Sequence, residues 1–94
     1  MTFKQGDLIG VPCSIQLGPF SDERLITADT EDGPLSGFVR LPNLETTDGQ
    51  RGLVKGAVID VRTDSVTVRL FGSFFTTAMG ITSVRRNGLM PLAA

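Results

Sequence analysis

Residues 51–84 read RGLVKGAVIDVRTDSVTVRLFGSFFTTAMGITSV. Ala57, Ile59 and Val61 alternate with Val58, Asp60 and Arg62, and Val66, Val68 and Leu70 alternate with Thr67, Arg69 and Phe71. A period of two, rich in β-branched residues, is the pattern of a half-buried strand. Thr63-Asp64 lies between the runs, and Asp tolerates the backbone angles of a tight turn. Closing the chain there pairs 61 with 66, 59 with 68 and 57 with 70, all apolar. A slip of one residue would turn that set to the opposite face, so the pattern selects this register. Ile59 and Val68 are therefore expected to be buried and cross-paired.

Gly72-Ser73 supplies a second two-residue hairpin signal. It pairs Leu70 with Phe75, Val68 with Thr77 and Val66 with Met79. On the other face it sets Phe71 against Phe74 and Arg69 against Thr76. Gly80 then bends the strand, which continues as Ile81–Val84. A three-stranded meander with one apolar face needs a partner layer or closure into a barrel. The first half of the chain has to provide it.

Reading outward, Asp7–Leu17 (DLIGVPCSIQL) puts Val11, Cys13, Ile15 and Leu17 on one face. Pro12 cannot donate to a ladder, which predicts an edge strand. Met1–Gly6 reads as a polar lead-in, and Phe20, in the loop Gly18–Glu23, as a lid on the core. Arg24–Thr30 (RLITADT) is a second strand burying Leu25, Ile26 and Ala28. Glu31-Asp32-Gly33-Pro34 is a turn, with Asp-Gly for the bend and Pro ending the pairing. Leu35–Arg40 is a third strand, capped by Pro42-Asn43-Leu44. Glu45–Gln50 (ETTDGQ) joins the halves, and residues 90–94 form a tail.

Each half, residues 7–44 and 51–89, thus offers strand, loop, strand, turn, strand. Val39-Arg40 is followed by Leu44 as Val84-Arg85 is followed by Leu89. The sequence predicts one all-β domain over residues 1–94: a five- to six-stranded antiparallel barrel, SH3-like or OB-like, built from two pseudo-repeated three-stranded units. Ninety-four residues bury roughly 60–65% of the unfolded chain's surface, enough for one modest core.

Two likenesses accompany that reading. Gly52-Leu53-Val54, the strand from Gly56 to Val61, the strand from Val66 to Leu70 and the later Gly80, Val84 and Leu89 are similar in spacing to OB-type RNA-binding barrels of the ribosomal-protein kind. Gly37-Phe38-Val39 with Leu44 resembles the closing strand of SH3-like barrels. The OB likeness implies single-strand nucleic-acid binding through exposed aromatics and basic residues. The chain has no Tyr, Trp or His, and offers Phe71 and Phe74 as outer-face aromatics.

Charge is divided unevenly. Residues 1–50 carry three cations against eight acids, a net of −5, and residues 51–94 carry six against two, a net of +4. Such asymmetry marks either a partner-binding face or two halves that lie side by side and neutralise each other. Without histidine, Ser-His-Asp and Cys-His catalysis are excluded. Cys13, the one cysteine, reads as a buried small hydrophobe, and a lone thiol fits a reducing, cytoplasmic compartment. Asp29, Glu31 and Asp32 lack calcium-loop spacing and read as a solvated turn. No phosphate-binding glycine motif occurs, the N-terminus has no signal-peptide apolar core, and no run approaches a membrane span.

The expectation is a non-enzymatic binding module without metal or cofactor. It would serve protein–protein interaction or self-association, with RNA or single-strand binding through the basic second half as the alternative. The candidate partner-binding residues are Arg69, Phe71 and Phe74 on the outer face of the meander, and Arg85 and Arg86 at the densest basic point. Arg can hold a carboxylate or phosphate bidentately.

Overall fold

The computed structural model describes residues 2–46, 48–77 and 79–92. Among the described residues nine strands form one antiparallel sheet: β1 Leu8–Leu17, β2 Glu23–Thr30, β3 Gly33–Arg40, β4 Leu44–Thr46, β5 Arg51–Val61, β6 Ser65–Leu70, β7 Ser73–Phe74, β8 Ile81–Arg85 and β9 Met90–Pro91. They run in the order β7-β3-β2-β1-β5-β6-β8, with β4 also paired to β5 and β9 to β1. The sheet curls into a half-barrel, the all-β small-barrel architecture that the alternating pattern demands. Its concave side holds one core, with Ile9, Val11, Ile26, Val39, Val54, Val66, Val68 and Leu70 almost wholly enclosed.

The two halves echo each other beyond the sequence signal. Val39 and Val84 are buried, each is followed by an exposed Arg, and each chain then makes a 3₁₀ turn, Leu41–Asn43 in one half and Arg86–Gly88 in the other. Leu44 N–H donates back to the Leu41 carbonyl, and Leu89 N–H to the Arg86 carbonyl. Both leucines are buried. The 3₁₀ turn carries each half across to the other's first strand, β4 onto β5 and β9 onto β1.

Several expected details are corrected. The β5–β6 hairpin closes as predicted with Val61 opposite Val66, but a β-bulge falls at Ile59. Beyond it Val68 faces Val58, not Ile59, and Leu70 faces Gly56. The extra residue moves the pairing by one, so Gly56 and Val58 turn inward while Ala57 and Ile59 lie half-buried. The meander's third strand is not the one after Gly72-Ser73. Residues 73–74 leave β6 and pair with β3, Gly37 opposite Phe74, and β6 takes β8 instead, with Val66 opposite Val84 and Val68 opposite Thr82. Gly80, at φ +68, makes the sharp return and its carbonyl accepts from Leu70 N–H at 2.9 Å.

β1 is not an edge strand; it lies between β5 and β2. Pro12 is tolerated because of where its peptide points. Ile15 N–H donates towards β5, to Gln50, while the Leu8 carbonyl accepts from Leu92 on the opposite side. Even-numbered residues of β1 therefore turn their peptide groups away from β5. Pro12 falls in the gap between Gly10, paired with β9, and Cys13, the first residue paired with β2.

Pro34 does not end the β2–β3 hairpin but pairs with Asp29, and Gly33 at φ +100 makes the turn. Phe3 of the supposed polar lead-in is buried in the core, whereas Phe20 and Leu17 are exposed, so Phe20 is no lid. Ala93 and Ala94 of the expected tail lie outside the described residues.

Candidate interaction surface

Alternation leaves a second, outward set of side chains on the convex side of the sheet. On β5 these are Leu53, Lys55 and Ala57, because Gly52, Val54, Gly56 and Val58 point inward. Register then assembles the neighbours. Leu8 pairs with Ala57, Ala57 with Arg69, and Arg69 with Ile81, giving one row across four strands. Met90 pairs with Gly10 and Gly10 with Lys55, and Phe71 N–H donates to the Lys55 carbonyl at 2.9 Å, giving a second row beside it. Pro12 opposite Leu53 starts a third, which the exposed Glu45, opposite Leu53 from β4, ends. Gly10 leaves space that Leu53 covers: a Cβ on Gly10 would stand only 3.0 Å from Leu53 Cβ.

The result is a contiguous apolar face. Leu8 is 44% exposed, Ile81 41% and Met90 52%, with Leu53, Ala57 and Phe71 half-buried among them. Two cations, Lys55 and Arg69, stand on it as diagonal neighbours, with Cα atoms roughly 7–8 Å apart on such a sheet. The first two rows contain no carboxylate.

The structure separates the residues that the sequence grouped. Arg69 and Phe71 lie on this face. Phe74 does not: it is 9% exposed and belongs to the core, because β7 docks on β3 rather than β6. The first half of the chain thus covers it, and the Phe71–Phe74 pair across a hairpin does not form. The surface aromatic of that segment is Phe75, edge-on to Phe38 with centroids 5.5 Å apart. Arg85 and Arg86 lie at the far end of β8, four residues or about 13 Å from Ile81. Arg85 is exposed. Arg86 begins the second 3₁₀ turn, its N–H donating to the Asp64 carbonyl at 3.2 Å, and its Nε is shut from solvent without an acceptor.

Leu8, Lys55, Ile81 and Met90 escaped the sequence reading. The bulge at Ile59 hides the outward set of β5, and only the return of β8 and β9 brings Ile81 and Met90 to it.

Among the described residues no ion pair joins the two halves to neutralise the charge asymmetry. Among the described residues the salt bridges are Arg40–Asp22 at 3.1 Å and Arg62–Asp60 at 3.5 Å, each within one half. Cys13 is buried and its thiol is pushed up to about 11, by burial first, with a Val54 backbone hydrogen bond and the Arg51 charge pulling the other way. It is a protonated thiol at neutral pH, not an activated nucleophile. Compared with protein-family models, curated proteins and solved structures, the chain matches none.

Proposed function

We propose that the chain is a non-enzymatic, cytoplasmic binding module that docks a protein segment carrying apolar and acidic side chains on the convex face of β1, β5, β6 and β8. The observation that carries this is the pair of apolar rows bearing Lys55 and Arg69 with no carboxylate between them. An exposed apolar patch carrying aromatic, methionine and arginine side chains is the composition of an interface. The SH3-like or OB-like architecture suits that role, as a scaffold presenting one sheet face.

The sheet edges are less suited to docking. Pro34 offers no N–H on β3, β7 covers Gly37 and Phe38, and Phe75 N–H takes the Ser36 carbonyl. On β8, Glu31 N–H takes the Ser83 carbonyl. A second copy docked face to face would oppose Lys55 and Arg69 to themselves, which is unfavourable. Single-stranded RNA would need a continuous basic strip, and Asp29, Glu31 and Asp64 are interleaved with Arg85 and Arg86 around the second 3₁₀ turn.

The test titrates two synthetic peptides into labelled protein, one alternating leucine with aspartate and one alternating leucine with lysine. The aspartate peptide is expected to move the amides of Leu53–Ala57, Arg69 and Ile81, and Lys55→Glu with Arg69→Glu to abolish the effect. Equal response to both peptides, or a wild-type dimer in sedimentation that Leu8→Glu dissociates, would overturn the acidic-partner reading.

A further inference from the structure

A cavity of about 500 Å³ opens where the neighbour of β1 changes from β9 to β2, on the side of the sheet closed by the second 3₁₀ turn. Its origin lies in the sequence. Pro12 occupies the change-over, so no strand hydrogen bond can be donated there. The β1–β2 pairing ends at Cys13 and Ala28, which leaves Asp29 beside the change-over. On its other side Asp29 pairs with Pro34.

The apolar lining of the cavity is Pro12 at its surface, with Val11, Cys13 and Val84 buried beneath. With its pKa near 11, the thiol leaves that lining uncharged. The rim is charged with both signs: Asp29 and Glu31 come from the β2 side, Arg51 and Arg85 from β5 and β8. None of these four is in an ion pair among the described residues, although they face one cavity. Its volume lies within the ~300–1,000 Å³ of small-ligand pockets, and an apolar body with a few converging polar groups is their usual composition.

We infer that this cavity is a binding site for a small zwitterion, a free α-amino acid with an apolar side chain. Its ammonium would face Asp29 and Glu31. Its carboxylate would face the guanidinium groups of Arg85 and Arg51, and its side chain would rest on Pro12, above Val11, Cys13 and Val84. A carboxylate offers Arg two acceptors in the geometry of the guanidinium fork, and an ammonium offers three donors to a site rich in acceptors. Neither half of such a ligand alone satisfies both sides of the rim. The cavity borders the convex face at Pro12, which pairs with Leu53, but Lys55 and Arg69 do not line it.

The experiment uses three probes of similar shape, L-leucine, isovalerate and isoamylamine, titrated into labelled full-length protein. Leucine is expected to shift the amides of Cys13, Asp29, Glu31 and Arg85 saturably. The two singly charged probes should bind at least ~10-fold more weakly, and Arg85→Ala and Asp29→Asn should each weaken leucine by roughly 10- to 100-fold, the range for losing a charged hydrogen bond. Both side chains are exposed, so the variants should melt with the wild type. The variant Lys55→Glu with Arg69→Glu should bind leucine unchanged, which separates this site from the peptide face. Absence of leucine shifts, equal binding of all three probes, or leucine binding that survives both Arg85→Ala and Asp29→Asn would overturn the inference.

Discussion

Replacing Phe74 with alanine tests the largest departure of the fold from simple alternation. If β7 docks on β3, the Phe74 ring is core; if it formed a hairpin with β6, the ring would be a surface partner of Phe71. The structure gives the ring rigid walls. A Cβ on Gly37 would stand 2.7 Å from its Cδ1, one on Gly72 3.1 Å from Cε2, and one on Gly80 3.3 Å from Cδ2. Three backbone segments therefore close on the ring, and backbone does not collapse readily into a void. A buried aromatic removes about 150–250 Å² from water, roughly 4–6 kcal/mol at 25 cal/mol per Å² as an upper figure. Phe→Ala core substitutions cost about 3–5 kcal/mol, more where the site relaxes poorly. We expect a loss of about 4 kcal/mol from a chain whose total stability at this length is on the order of 5–14 kcal/mol. At about 4–8 °C per kcal/mol, Tm should fall by roughly 16–32 °C. With no Trp or Tyr to report by fluorescence, the measurement is urea unfolding followed by far-ultraviolet circular dichroism. Phe71→Ala, at a half-buried position, should cost only about 1 kcal/mol. A Phe74→Ala loss under about 1.5 kcal/mol, or a larger loss for Phe71→Ala, would refute the docking of β7 on β3.

Two further substitutions probe register and ionisation. Val58→Asp buries an unpaired charge and should cost on the order of 3 kcal/mol or more, whereas Ile59→Asp, in the bulge, should cost clearly less; the reverse order in urea unfolding would remove the bulge. The Cys13 thiol is raised from its ordinary 9.0 to about 11. The folded state then holds its proton more tightly than the unfolded state, so the stability this provides is complete below pH 9 and lost as pH rises towards 11. Comparing melts of the wild type and Cys13→Val at pH 8.5 and 10.5, the wild type should lose more; equal losses would show that the thiol does not contribute.

Arg69 and Phe71 were the part of the candidate surface that was legible in the sequence. Arg69 and Phe71 alternate with Val68 and Leu70, and a period of two tells which residues share a face without telling what lies beside them. The two-unit organisation was legible too, because Val39-Arg40 with Leu44 and Val84-Arg85 with Leu89 stand at the ends of three strand-like runs. Phe74 was misplaced for a specific reason. Gly72-Ser73 fits a tight hairpin locally, and the competing contact, Gly37 on β3, lies 37 residues away in the chain. Local turn preference carries no information about a partner at that distance.

The sequence by itself determined that this is an all-β chain with one core, since strand alternation and turn residues are local properties written into every few positions. It also determined which inward set β6 presents, because Val66, Val68 and Leu70 are apolar and their neighbours Thr67 and Arg69 are polar. On β5 both alternating sets are apolar enough to be buried, Val54 and Val58 no less than Leu53, Ala57 and Ile59. Pattern could not choose between them there, and the bulge at Ile59 did. The central place of β1 was likewise a tertiary decision. A proline argues for an edge, and only the meeting of β9 and β2 along the same side of β1 left a gap in which Pro12 breaks no ladder. That gap became the cavity, and the curl of the sheet brought Arg51 and Arg85 to the same opening as Asp29 and Glu31, positions that no local pattern relates.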